Sequence, residues 1–159
     1  MKLLIFSDAH GQGERIQQVI DNVSGVDYLL YAGDKVSDLD RVNLPSQIKV
    51  EAVPGNRDFE VDLPHDKIIK VANKKIFITH GDRYQIKWGL DKLYYKAKEV
   101  EADIVIFGHN HSRLAIEEGG ILFFNPGSIS LPRDKKPPSY GMIEIEGQQI
   151  KYQHYDFNY

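Results

Sequence analysis

Five apolar runs of strand length constrain this chain more than any other feature: "KLLIF" (2–6), "DYLLYA" (27–32), "IKVEAV" (48–53), "KKIFIT" (74–79) and "DIVIF" (103–107). Several are apolar without alternation, the pattern of strands covered by helices on both faces of a sheet. Each run is followed by polar residues of metal-ligand type, usually beside glycine. The ends read Asp8-Ala9-His10, Gly33-Asp34, Gly55-Asn56-Arg57-Asp58, His80-Gly81-Asp82 and Gly108-His109-Asn110-His111. In open α/β sheets the carboxyl ends of strands are where sites are built.

Helical patterns separate some of these runs. Residues 13–23 set Ile16, Val19, Ile20 and Val23 on one helix face. Residues 84–100 set Ile86, Leu90, Leu93, Tyr94 and Ala97 on another, although Gly89 inside that helix costs about 1 kcal/mol. The last third predicts two hairpins, 113–125 turning at Glu118-Gly119-Gly120 and 139–157 turning at Gly147-Gln148. Between them "PRDKKPPS" (132–139) reads as a solvated loop, with Arg133, Lys135 and Lys136 exposed to water. The sum is an α/β layered domain, two sheets with helices outside, over residues 1–159.

Taken singly, each strand end is ordinary turn chemistry. Together they are not: four of the six histidines (His10, His80, His109, His111) lie at these ends. His65 and His154 have no ligand-type neighbour at useful spacing and read as structural or surface residues. There is no cysteine, so thiolate metal sites and disulfides are excluded, and any metal must be held by His, Asp, Glu, Asn or backbone oxygen. The net charge of −3 gives no basic stripe for nucleic acid and no polybasic membrane anchor. The opening apolar run stops at Ser7-Asp8, too short for a signal peptide or a membrane span, which points to a cytoplasmic protein.

The ordered set Asp8-x-His10, Gly33-Asp34, Gly55-Asn56-x-Asp58, His80-Gly81 and Gly108-His109-x-His111 resembles the calcineurin-like metallophosphoesterases. With "NPGS" (125–128) and the compact length, it is similar to their small bacterial and archaeal phosphodiesterase branch. The resemblance implies a four-layer αββα sandwich with two mixed β-sheets flanked by helices. It also implies a dinuclear centre in which Asp8, His10 and His111 hold one metal, Asn56, His80 and His109 the other, and Asp34 bridges them. Two divalent ions, less two carboxylates and a bridging hydroxide, leave about one positive charge to attract phosphate. The implied reaction is in-line attack of that hydroxide on phosphorus, most readily of a small phosphodiester. Imidazole, carboxylate and amide ligands suit Mn²⁺, Fe²⁺, Co²⁺, Ni²⁺ or Zn²⁺, with Mn²⁺ favoured.

Arg57 departs from the wider family, where a histidine thought to help the leaving group often stands. Arginine, with a pKa above about 12, cannot act as that acid, but its planar fork can hold a phosphate oxygen. Arg57 and Asp58 are therefore the expected catalytic residues, with Arg57, Asn125 and Ser128 against substrate. The competing readings are a protein-binding scaffold like the retromer subunit, which resembles this branch but has lost activity, and a nuclease, which the charge does not favour. All seven ligand positions carry competent side chains, which favours the enzyme. A homodimer is compatible with everything above.

Overall fold

The computed structural model describes residues 1–158. Its strands are β1 (Lys2–Phe6), β2 (Tyr28–Tyr31), β3 (Lys49–Ala52), β4 (Asp66–Val71), β5 (Lys74–Thr79), β6 (Ile104–Ile106), β7 (Arg113–Glu118), β8 (Ile121–Pro126), β9 (Ser139–Glu146) and β10 (Gln149–Asp156). The helices are α1 (Gly13–Asn22) and α2 (Asp91–Glu99). One five-stranded sheet runs β10-β9-β1-β2-β3 and the other β4-β5-β6-β8-β7. Strands β1, β2 and β3 are parallel, as are β5, β6 and β8, and the remaining pairings are antiparallel.

The period of two along each strand builds the layers. Leu3, Ile5 and Leu30 from one sheet meet Ile76, Ile78, Ile104 and Phe124 from the other in a core between the sheets. The opposite faces carry Leu4, Phe6, Leu29 and Tyr31 against Ile16, Val19 and Ile20 of α1. On the far side Phe77, Val105 and Phe123 pack on Leu93 and Ala97 of α2. The result is the expected four-layer arrangement of helix, sheet, sheet and helix. Among the described residues no helix is long and apolar enough to cross a membrane.

Three expectations change. The run at 48–53 is not covered on both faces: β3 is an edge strand, Val50 is 39% exposed, and Glu51 pairs with Lys67 of the other sheet at 2.8 Å. The helix expected over 84–100 starts only at Asp91. Before it come two 3-10 turns, Asp82–Tyr84 and Ile86–Trp88, because Gln85 (φ 54°) and Gly89 (φ 138°) take backbone angles that no right-handed helix contains. Strand β4 had no counterpart in the sequence reading. It pairs antiparallel with β5 and forms an edge whose exposed Ile68 blurs the alternation.

Between the two sheets, Gly141 of β9 faces the fully buried Phe124 of β8. Phe124 also stacks on His154, with centroids 4.5 Å apart and planes 10° from parallel. A Cβ at Gly141 would overlap the Phe124 ring. Gly141→Ala should therefore lower stability by about 1–3 kcal/mol through overpacking, read from the midpoint of urea unfolding; an unchanged midpoint would show that the ring can move aside.

Candidate metal centre

The turns after β1, β2, β3, β5 and β6 converge on one cavity of about 110 Å³. Asp8, His10, Asp34, Asn56, His109 and His111 line it, so six of the seven expected ligands open onto it directly. The seventh, His80, touches two of them from behind. The structure thus brings all seven positions together.

Asp8, His10 and His111 form one group whose ligand atoms all lie within 4.8 Å of one another, a group that could hold a metal ion. His10 Nε2 and His111 Nε2 are 3.1 Å apart, and His111 Nε2 is 3.3 Å from Asp8 Oδ1. Asn56, His80 and His109 form a second trio. Asn56 Oδ1 is 3.1 Å from both His80 Nε2 and His109 Nδ1, and the two histidine nitrogens are 3.2 Å apart. Asp34 stands between, within electrostatic reach of His80 in one trio and His10 in the other.

Backbone carbonyls orient two of the imidazoles. His80 Nδ1 lies 2.7 Å from the Ala32 carbonyl oxygen, and His111 Nδ1 lies 2.7 Å from that of Leu131. A carbonyl only accepts, so each Nδ1 donates to it and each Nε2 is left facing the other members of its trio. This makes the short contacts informative. Asn56 Oδ1 lies against His80 Nε2 and Asp8 Oδ1 against His111 Nε2, and Asp8 Oδ1 is buried with no hydrogen-bond partner. A cation among these atoms satisfies all of them, so the donor set fits divalent metal.

Glycines permit the close approach. A Cβ at Gly55 would come within 2.7 Å of Asp34 Oδ1, and one at Gly108 within 2.7 Å of Asp8 Oδ2. Four of the expected ligands themselves sit in the left-handed region: Asp8 (φ 54°), His10 (φ 48°), His109 (φ 71°) and His111 (φ 58°). Non-glycine residues adopt it at a cost of order 1 kcal/mol each and cluster at functional sites.

The other expected site residues divide. The Arg57 N–H donates to Asp34 Oδ1 at 2.7 Å, and its guanidinium Nε is 3.7 Å from Asp34 Oδ2. The side chain is 69% exposed and lines the cavity. Asp58, by contrast, accepts the N–H groups of Lys35 (2.8 Å), Val36 (2.7 Å) and Gly55 (2.8 Å). Its carboxylate is engaged in holding two turns together. Asn125 and Ser128, expected against substrate, are both fully buried. Asn125 Nδ2 donates to the Gly108 carbonyl at 2.9 Å and Ser128 Oγ donates to the Asp8 carbonyl at 2.8 Å, so they brace the ligand turns instead.

Sequence reasoning missed several participants. Lys87 and Arg133 line the cavity, the first from a stretch expected to be helical and the second from the loop read as merely solvated. The fully buried Tyr31 donates to the Asp34 carbonyl at 2.6 Å, and buried Asp38 accepts the Gly11 N–H at 2.7 Å. Their sequence surroundings carry no signal for either contact.

Burial sets much of the site's protonation. It lowers His10 and raises Asp34. Burial also acts to raise the Asp8 carboxyl, but His111, His80 and the Ser7 hydroxyl together outweigh it and leave Asp8 below its ordinary value. Burial, then the neighbouring His80, pushes His109 down to about 4.

A family model described as the calcineurin-like phosphoesterase superfamily domain matches residues 1–148. The probable metallophosphoesterase YsnB of Bacillus subtilis is 35% identical over 157 residues, covering 98% of this chain and 91% of its own length. Phosphodiesterase YfcE of Escherichia coli K12 is 32% identical, covering 91% of this chain and 88% of its own. Among solved structures, a predicted phosphoesterase from Streptococcus pneumoniae superposes with a TM-score of 0.82 at 32% identity, covering 96% of this chain and 87% of that one.

The depressed His109 has a consequence for stability. Its folded value, about 4, lies below the ordinary histidine value of 6.5, so the unfolded chain binds the proton first as pH falls. The contribution is fully present above about pH 6.5 and is lost progressively toward about pH 4. The melting temperature of metal-stripped protein should fall across that window, and His109→Gln should flatten the fall. An identical slope in the variant would remove His109 as its source.

Proposed function

This chain belongs to the calcineurin-like phosphoesterase superfamily, and on that premise we propose that it is a phosphodiester hydrolase working with two divalent metals at one centre. The observation that carries the reading is the pair of facing trios, Asp8–His10–His111 and Asn56–His80–His109, with Asp34 between them. The nitrogen and oxygen donors suit Mn²⁺, Fe²⁺, Co²⁺, Ni²⁺ or Zn²⁺, and Mn²⁺ is the ion we propose. When bound, the two ions would supply Lewis-acid polarisation of phosphate oxygens and an acidified water.

The chain's own residues do the rest. The Ala32 and Leu131 carbonyls hold Nδ1 of His80 and His111 and so point each Nε2 toward the centre. Arg57, Lys87 and Arg133 surround the cavity with positive charge and would bind the non-bridging oxygens of a phosphoester. Hydrolysis adds water across one P–O bond, and the leaving oxygen departs with the bonding electrons. Arg57 cannot hand that oxygen a proton. Esters with stable leaving groups, aryl diesters among them, are therefore the favoured substrates, in accord with a relative named as a phosphodiesterase. A cytoplasmic setting belongs to the same proposal.

Hydrolysis of bis(p-nitrophenyl) phosphate should disappear with chelator and return with Mn²⁺; activity that survives metal removal, or that no divalent ion supports, refutes the reading. Arg57→Ala should cut kcat/KM on this ester by about tenfold, less than for an enclosed donor because the guanidinium is 69% exposed. Arg133→Met should instead raise KM with little change in kcat, the mark of a contact made equally in ground and transition states.

A further inference from the structure

Beside the metal centre runs a second, open groove of about 480 Å³, lined by His10, Lys35, Arg57 and Phe59. It is continuous with the first cavity, since His10 and Arg57 line both. Phe59 is 83% exposed, a large ring held in water directly beside the chemistry. Both cations of the groove are exposed as well.

The walls are held in place. The Asp58 carboxylate receives the backbone N–H groups of Lys35, Val36 and Gly55, which ties the Lys35 turn to the turn that carries Arg57 and Phe59. Lys35 itself sits at φ 70°. Its ammonium lies 3.1 Å from where a Cβ on Gly11 would project, so it rests over the turn that presents His10. The groove thus combines an exposed aromatic ring with two cations and opens onto the proposed metal centre.

Aliphatic chains gain little from one exposed ring, because they need walls on all sides to leave water. A planar, electron-rich heterocycle gains by stacking on a single face. The flanking Lys35 and Arg57 require that the same ligand carry negative charge. The groove, about 480 Å³, has room for a mononucleotide. We propose that the Lys35–Phe59 groove is the subsite for the non-reacting arm of a nucleotide-like phosphoester, its base stacked on Phe59 and its negative charge held between Lys35 and Arg57. This rests on the phosphoesterase reading for the neighbouring centre.

Calorimetric titration of the Mn²⁺-loaded protein with adenosine 5′-monophosphate and with ribose 5-phosphate separates the base from the phosphate. The nucleotide should bind about tenfold more tightly than the sugar phosphate, the effect of one stacked base. Phe59→Ala should bring the nucleotide to the affinity of ribose 5-phosphate and leave the latter unchanged, whereas Phe59→Tyr should keep the preference. Lys35→Met should weaken both compounds alike. Equal affinities in the unaltered protein, or a base preference that survives Phe59→Ala, overturn the proposal. Because binding is read without turnover, a protein inert toward aryl esters that still prefers the nucleotide would sink the enzymatic reading and spare the groove; an active enzyme with no base preference would do the reverse.

Discussion

One carboxylate joins the two sheets at the site. Asp8 Oδ2 accepts the Ser7 hydroxyl at 2.6 Å and the N–H of His109 at 3.0 Å, tying the end of β1 to the turn after β6 in the opposite sheet. Its other oxygen, Oδ1, has no donor although it is buried, and it faces the Nε2 atoms of His10 and His111. Enclosing a charge costs several kcal/mol unless it is compensated. Half of this carboxylate is satisfied by protein and half is left for a cation. The clasp between the sheets is also part of the candidate metal site, so fold and site cannot be altered independently there.

The turns that surround Asp8 are built on unfavourable backbone angles, and the network beneath them explains how they persist. Ser128 and Ser130 both donate to the Asp8 carbonyl, at 2.8 and 3.0 Å. Asp38 fixes Gly11, Asn125 fixes Gly108, and the Leu131 carbonyl fixes the His111 ring. Such conformations survive only where the surroundings over-determine them. The polar residues of "NPGS" accordingly lie inward. Their chemistry is spent on the backbone of the ligands, one layer below any substrate.

How much of this was legible follows from what a sequence pattern encodes. Asp8, Asp34, Asn56, His80 and the His109–His111 pair stood out because long apolar runs mark buried parallel strands, and such strands bring their carboxyl ends to one side of a sheet. Periodicity records which face a residue takes but not which neighbour covers it. It therefore revealed α1 and both hairpins, yet placed β3 in the interior when it is an edge, and passed over β4, another edge. Tyr31 reads as one more apolar strand residue, and its hydroxyl bond to Asp34 depends on the turn back toward its own strand. Lys87 looked like the solvated face of a helix because Gln85 was not recognisable as a left-handed break. The roles of Arg57 and Asp58 differ for the same reason: adjacent residues in a tight turn point in different directions, and only the fold says which.

That turn shows how an acidic chain can present a site for anions. From Gly55 onward, Asn56 joins a ligand trio, Arg57 leans on Asp34 while staying in solvent, Asp58 folds back onto the neighbouring turn, and Phe59 stands free. The acid of the pair is consumed by backbone donors and the base is left available. Across the cavity and groove, Lys35, Arg57, Lys87 and Arg133 repeat the asymmetry. The net charge of −3 is a sum over the whole chain, and at physiological ionic strength charges more than about 8 Å from the cavity are largely screened. The field an approaching phosphoester meets is that of the nearby cations, so the bulk charge limits long-range capture of polyanions without opposing a small ester at the centre.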